Sequence, residues 1–215
     1  MPAYKLAIFD WDGTLMDSVA HIVDSMQQAA YVLGEPVPSV SDVRHIIGLG
    51  LPEAIALLFP KASEVAREAI RQQYAQHFIA HSAAKSELFA GAEPLLAQLT
   101  QQGYLLAIAT GKSRLGLDRV LAQTGIGHYF VATRCADETA SKPHPLMLQE
   151  LLAYTQTSPQ DSIMIGDTSY DMEMAQTIEM PRLAVSYGVH SIDTLKQYQP
   201  MAIVDSLYQL HDYLY

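Results

Sequence analysis

Tyr4-Lys5-Leu6-Ala7-Ile8-Phe9-Asp10-Trp11-Asp12-Gly13-Thr14-Leu15 is the stretch around which the chain is ordered. Its first six residues are mostly apolar, a length that suits a strand buried on both faces of a parallel sheet. The run then delivers two carboxylates at the strand's carboxyl end, where open α/β sheets bind ligands. In an extended chain Asp10 and Asp12 project to one side and Trp11 to the other. Gly13 lets the backbone turn away at an angle that other residues resist. Like charges about 4 Å apart at an effective dielectric near 20 repel by ~4 kcal/mol. Such a pair therefore implies a cation between them or a retained proton. The structural alternative is that one carboxylate caps a helix and the other faces water.

Working outward, the chain's 215 residues suffice for a full core, as one domain or one plus an insert. Apolar residues make up 49% and charged residues 17%, which fits a globular enzyme and not a disordered chain. The formal net charge of −10 argues against nucleic acid and against anionic membrane surfaces as partners. It also means that a site for a phosphorylated substrate must carry local positive charge. Cys135 is the only cysteine, so no internal disulfide forms and a reducing compartment is expected. No signal peptide and no apolar run of bilayer length is visible, so the expected address is the cytoplasm.

From Met16 to about Ser86 the pattern is helical throughout. Val19, Ile22, Val23, Met26, Ala30 and Leu33 recur at three- and four-residue steps, and Gly34 with Pro36 ends that helix. Ser41 or Asp42 is expected to cap a short helix through Ile47. Leu51 through Phe59 forms the next, with Pro52 in its first turn, and Glu64 through about Ser82 the last. An alternating pattern follows. Strands are expected at Tyr104–Ala109, Tyr129–Thr133, Asp161–Ile165, Arg182–Val185 and Ala202–Val204. Helices are expected over Ala92–Gln102, Ser113–Gln123, Pro143–Tyr154, Ser169–Ile178, Ile192–Tyr198 and Ser206–Tyr213. Repeated strand–helix–strand units make a right-handed parallel α/β sheet, Rossmann-like and three-layered.

The strand ends carry the chemistry. Thr110 offers a hydroxyl and Gly111 a backbone N–H open to close approach. The alternative for Thr110 is a helix N-cap. Gly111-Lys112-Ser113 mimics the end of a nucleotide-binding P-loop, but Leu106 stands where that loop needs glycine. Lys142, in the loop before the fourth sheet strand, can serve as a point charge on phosphate, with Pro143 opening a helix. Asp167 lies at a strand's carboxyl end and Asp171 one helical turn on, where both could also complement a helix dipole. Four carboxylates with one lysine leave a deficit of positive charge. Mg²⁺, with its preference for hard oxygen ligands and a substrate phosphate, would fill it.

Asp-x-Asp-Gly-Thr-Leu at 10–15, Thr110, Lys142-Pro143 and Gly166-Asp167-Thr168-x-x-Asp171 resemble, in order and spacing, the four motifs of the haloacid dehalogenase-like hydrolases. The likeness spans the whole chain and is closest to the phosphoglycolate phosphatase-like branch. It implies a catalytic core of residues 1–15 and 88–215 and a helical cap of residues 16–87, hinged near Met16 and near Ser86-Glu87. It implies that Asp10 is the nucleophile forming an aspartyl-phosphate, and that Asp12 is the general acid and base whose backbone carbonyl binds metal. Asp167 would join Asp10 on Mg²⁺, and Asp171 would bind the metal's shell or orient Lys142. Thr110, Gly111 and Lys142 would hold the phosphoryl oxygens. An aspartate at position 12, where true dehalogenases carry a non-acidic residue, implies a phosphatase acting on a small phosphorylated metabolite. A sugar phosphomutase, a pyrophosphatase and a non-catalytic regulatory module are the rival readings. The oligomeric state is open, and a monomer is compatible with the sequence.

Cap residues give weaker signals. The loop Ile47-Gly48-Leu49-Gly50-Leu51 either closes over substrate or is a plain turn. Arg44, His45, Lys61 and Lys85 are candidates for substrate contact, with a solvated surface as the alternative. His77 and His81 have metal-ligand spacing but no acidic neighbour in sequence. His144 suits a helix start, and Cys135 a buried, inert thiol.

Overall fold

The computed structural model describes residues 3–85 and 87–214, with the side chains of 82–85 outside that description. Strand β1 (Leu6–Phe9) is completely buried, as a run without polar alternation requires. Leu6 and Ile8 pack into one apolar layer with Leu148, Leu151 and Met164. Ala7 and Phe9 pack into the other with Leu96, Leu99 and Leu106.

A short ribbon strand, β2 (Met16–Asp17), follows β1, and then four helices: α1 (Val19–Leu33), α2 (Val40–Ile46), α3 (Leu51–Leu58) and α4 (Glu64–Lys85). They bury their own cluster, built on Val23, Met26, Ile55, Ile70 and Phe78. Strand β3 (Glu87–Leu88) runs antiparallel to β2, with Met16 opposite Leu88 and Asp17 opposite Glu87. The chain then alternates through α5 (Ala92–Gln101), β4 (Leu105–Thr110), α6 (Arg114–Thr124), β5 (Ala132–Cys135), α7 (Leu146–Thr155), β6 (Ser162–Gly166), α8 (Ser169–Thr177), β7 (Arg182–Val185), α9 (Ile192–Lys196), β8 (Ile203–Val204) and α10 (His211–Leu214).

The main sheet is parallel, in the order β5-β4-β1-β6-β7-β8. From β1 the chain builds outward through β4 and β5, then returns to build β6, β7 and β8 on the other side. Strand β1 lies at that reversal, and the crevice beyond its carboxyl end is where such sheets place ligands. Helices α5, α6 and α10 cover one face, and α7 and α8 the other, giving three layers.

Several boundaries differ from expectation. Ser39, not Ser41 or Asp42, caps α2: its side chain accepts the Asp42 N–H while the Asp42 carboxylate reaches back to the Ser39 N–H, a capping box. The segment expected to form a strand from Tyr129 is instead a 3₁₀ turn over Ile126–Tyr129, and the strand begins at Ala132. Helix α7 begins at Leu146 with Pro145 as its cap, so Pro143 does not open it. The last expected helix is a 3₁₀ turn, Leu207–Leu210, running into α10. The ribbon β2–β3 was not expected, because two-residue strands carry no periodicity. Of the expected cap junctions, Ser86 lies outside the described residues. No helix among the described residues is long and apolar enough to cross a membrane.

Ile8 sits at the centre of β1 with no exposed surface. Ile8→Ala should destabilise the protein by about 2–5 kcal/mol through transfer and cavity terms, seen as a lower urea midpoint at unchanged m.

Candidate active site

Asp10 follows directly on β1, with its N–H donating to the Ile165 carbonyl at 2.9 Å. The backbone then turns at once. The Trp11 carbonyl accepts from the N–H groups of Thr14, Leu15 and Met16 at 3.3, 3.0 and 2.9 Å. The strand itself ends at Phe9, yet Asp10 and Asp12 line one cavity while Trp11 packs into the apolar core, as alternation along the chain implies. Asp12 Oδ1 accepts from Ser18 Oγ at 2.5 Å and faces Lys112 Nζ at 3.0 Å. Asp10 turns inward.

There it meets Lys142, whose Nζ lies 2.7 Å from Asp10 Oδ1 and 2.6 Å from Asp171 Oδ1, with all three side chains buried. Asp167 completes the group. Ligand oxygens of Asp10, Asp167 and Asp171 all lie within 4.8 Å of one another. Asp10 Oδ2 is buried with no hydrogen-bond partner among the described residues. Three carboxylates against one ammonium leave two negative charges. An all-oxygen donor set with that surplus and one uncommitted oxygen fits a hard divalent cation.

The electrostatics agree. Burial pushes the Asp10 carboxyl well above the usual range; Lys142 opposes the rise, and Asp171 and Asp167 add to it. Burial, then Asp171, pushes Asp167 up to about 7, against its hydrogen bonds from Thr14 and Val189. For Lys142 burial works against the charged form, but Asp10 and Asp171 outweigh it and hold the ammonium above its ordinary value.

Asp167 is clamped by Thr14 Oγ1 at 2.8 Å and by the Val189 N–H at 2.8 Å. Two glycines make its slot. A Cβ on Gly13, which has φ +86°, would stand 2.3 Å from Asp167 Oδ2, and one on Gly188 would stand 2.3 Å from Asp167 Cβ. The expected capping role of this acidic pair belongs to Asp171 alone. Its Oδ2 accepts from the N–H and hydroxyl of Thr168, the cap of α8, while Oδ1 takes Lys142.

Thr110 is buried at the end of β4 and is not a helix cap: Ser113 caps α6, and Thr110 Oγ1 accepts the Lys112 N–H at 3.2 Å. The space beside Gly111 is taken by the helical insertion, since a Cβ there would lie 2.6 Å and 2.4 Å from the carbonyl oxygens of Gly48 and Leu49. The loop 47–51 thus lies against the sheet's carboxyl end, and the Gly50 N–H donates to Ser141 Oγ at 2.8 Å. Arg44 donates to the carbonyls of Gly188 and Val189 at 2.9 and 3.1 Å, so it grips the loop that holds Asp167. The His45 carbonyl accepts from Tyr170 Oη, and its ring stacks on His190. Lys61 is exposed, and the Lys85 side chain lies outside the described residues. His77 Nδ1 meets Ser25 Oγ, His81 Nδ1 meets the His77 carbonyl, and His144 Nδ1 accepts the Leu146 N–H. Cys135 is buried, which pushes its thiol up to about 12.

Sequence reasoning gave no role to Lys112, Ser18 or Thr14, and took Arg44 as a candidate for substrate contact where it instead holds the Gly188-Val189 backbone. Lys112 carried a usable signal, a cation two residues past a strand-end threonine. The other three act through contacts that only the tertiary fold creates.

A family model described as haloacid dehalogenase-like hydrolase matches residues 7–185. The chain belongs to this family. A Dickeya dadantii protein named "Probable phosphatase IndB" is 34% identical over 207 residues, covering 94% of this chain and 89% of its own. A Vibrio cholerae phosphoglycolate phosphatase is 29% identical over 215 residues, 96% of this chain and 95% of its own. A solved structure from Haemophilus somnus, described as a predicted phosphoglycolate phosphatase, superposes with a TM-score of 0.88 over 99% of both chains at 24% identity, a likeness of fold. Within the family the chain falls in the phosphoglycolate phosphatase-like branch.

Gly188→Ala adds a methyl group against Asp167 and should weaken divalent-cation binding about 10–100-fold, as displaced supporting groups do at metal sites, measured by titration calorimetry. A pH dependence follows from the raised carboxyls. Folded and metal-free, Asp167 holds a proton that the unfolded chain releases near pH 4, so its contribution to stability is full below about pH 4 and is lost as pH rises through about 7, and Asp10 is shifted in the same direction. A divalent cation takes the place of those protons. Its Tm gain should therefore be larger at about pH 8 than at about pH 5.5. An equal gain at both would separate the cation from these groups.

Proposed function

We propose that the chain is a Mg²⁺-dependent phosphatase that releases phosphate from a small phosphomonoester through an aspartyl-phosphate on Asp10. The observation that carries this is the pairing of Asp10 with buried Lys142 while Asp10 Oδ2 stays uncommitted, in the cavity that Asp12 also lines. Residues 1–15 and 88–215 form the catalytic core, and residues 16–87 a cap over it. The single buried thiol supports a reducing, cytoplasmic setting.

A carboxylate oxygen of Asp10 attacks phosphorus, the bond from phosphorus to the leaving oxygen breaks, and Asp12 gives the alkoxide its proton. Water then attacks the aspartyl-phosphate and passes its proton to Asp12. The bond to Asp10 breaks and inorganic phosphate leaves. Both contacts that hold Asp12 fall on Oδ1, which fixes the carboxyl while Oδ2 remains for proton transfer. Lys142 spends two of its three N–H donors on Asp10 and Asp171, and the third is available to a phosphoryl oxygen. Thr110 and the Gly111 N–H supply further donors. Asp10, Asp167, the Asp12 carbonyl and Asp171 or its water shell would hold Mg²⁺, which when bound would supply neutralisation of phosphoryl charge. The loop 47–51 lies over the site and excludes water from it.

Release of inorganic phosphate from a panel of phosphomonoesters, beginning with 2-phosphoglycolate, tests this reading. Asp10→Asn should abolish release, and Asp12→Asn should lower kcat by about 10²–10⁴-fold. Chelation of the metal should stop the wild-type reaction. Phosphoryl transfer to an added sugar phosphate in place of water would instead mark a mutase.

A further inference from the structure

The cavity above Asp10 and Asp12 has a volume of about 630 Å³. That lies within the ~300–1,000 Å³ of pockets that enclose drug-sized ligands, so a phosphoryl group with a two-carbon acid leaves much of it unfilled. The floor alone is built for anions. The walls from the helical insertion are mainly apolar, with Ile22, Met26, Leu51, Tyr74, Phe78 and Ile79, and carry Glu53 and Arg71 among them.

Three cations border the space, and two of them are committed. Lys112 faces Asp12 at 3.0 Å and stands 5.0 Å above the Phe78 ring. Arg71 is held fork-to-fork by Glu68 at 2.7 and 2.6 Å. Arg119, on α6 one turn from Leu115, also lines the cavity and, among the described residues, is the cation of the three that is not committed. A carboxylate seated against the apolar walls, away from Arg119, would lose its water without gaining a cation. The mouth is apolar as well. Ile79 and Leu115 line it and remain 44% and 77% exposed, large side chains that the cores leave uncovered.

We propose that the site selects phosphomonoesters whose leaving group is a primary alcohol bearing an alkyl chain or ring, in preference to a two-carbon acid. The proposal rests on the phosphatase reading above and narrows its substrate class. The walls take apolar surface from water, while the floor handles the phosphoryl group identically for every ester.

The test is steady-state phosphate release by the full Mg²⁺-loaded chain from ethyl, butyl, hexyl and 2-phenylethyl phosphate. These leaving groups have similar intrinsic reactivity. 2-Phosphoglycolate and the phosphate ester of 6-hydroxyhexanoate serve as anionic comparators. We expect kcat/KM to rise with length by up to about fourfold per methylene, the equivalent of ~0.8 kcal/mol per buried CH₂, and the hexyl and phenylethyl esters to exceed phosphoglycolate at least about tenfold. Ile79→Gln and Leu115→Gln, both at the mouth and away from the buried clusters, should flatten that length dependence. A flat series, or preference for either carboxylate-bearing ester, overturns the leaving-group assignment while hydrolysis itself stands. No release from any ester, with metal binding intact, overturns the phosphatase reading and this proposal with it.

Discussion

Lys142 is an ammonium on a side chain with no exposed surface, and the arrangement around it depends on that charge. A lone lysine at such depth would shed its proton, and three clustered carboxylates alone would not all ionise. Against burial, Asp10 and Asp171 together hold the Lys142 ammonium charged, while burial and their neighbours keep the Asp10 and Asp167 carboxyls above the usual range. The pair from Lys142 to Asp10 and Asp171 joins the carboxyl end of β1 to the first turn of α8, through a loop that precedes α7. Removing any one member strands its partners in a medium where an unpaired charge costs several kcal/mol. The cluster therefore ties together three separate pieces of the sheet's carboxyl edge as well as presenting Asp10.

Asp167 is positioned differently, by steric confinement. Two glycines leave a slot with room for a carboxylate and nothing else, and the Thr14 hydroxyl and Val189 N–H fix its oxygens. The outer wall of that slot is held by Arg44 from the helical insertion. A residue that looks from the sequence like a candidate for substrate contact thus acts on the carboxylate through the intervening backbone.

Much of this was legible in the sequence where a pattern is local. Unbroken apolar runs marked β1, β4, β6 and β7, and α1 ended at Gly34, which adopts φ +70°. The acidic and lysine positions at strand ends followed from the rule that ligands gather there, and the structure brings Asp10, Lys142, Asp167 and Asp171 together. Signals failed where tertiary pairing decides. Tyr129-Phe130-Val131 reads as a strand, yet Tyr129 closes a 3₁₀ turn, and only from the Val131 N–H, which donates to the Leu106 carbonyl at 2.9 Å, does the chain join the sheet. The charge count failed as well. One lysine was weighed against four carboxylates, whereas Lys112 stands as a second cation beside Asp12, reached only once β4 lies next to β1.

The ribbon of β2 and β3 has an architectural consequence. It sets the outgoing and returning strands of the chain side by side, about 5 Å apart at paired positions. Everything between them, some seventy residues, is suspended from one narrow doorway. A helical block of another size, or a single short turn, could be spliced across that gap without moving β1 or its acidic tip. What such an exchange would have to replace are the grips the insertion lends the sheet edge, Arg44 on the Gly188-Val189 backbone and the Gly50 N–H on Ser141.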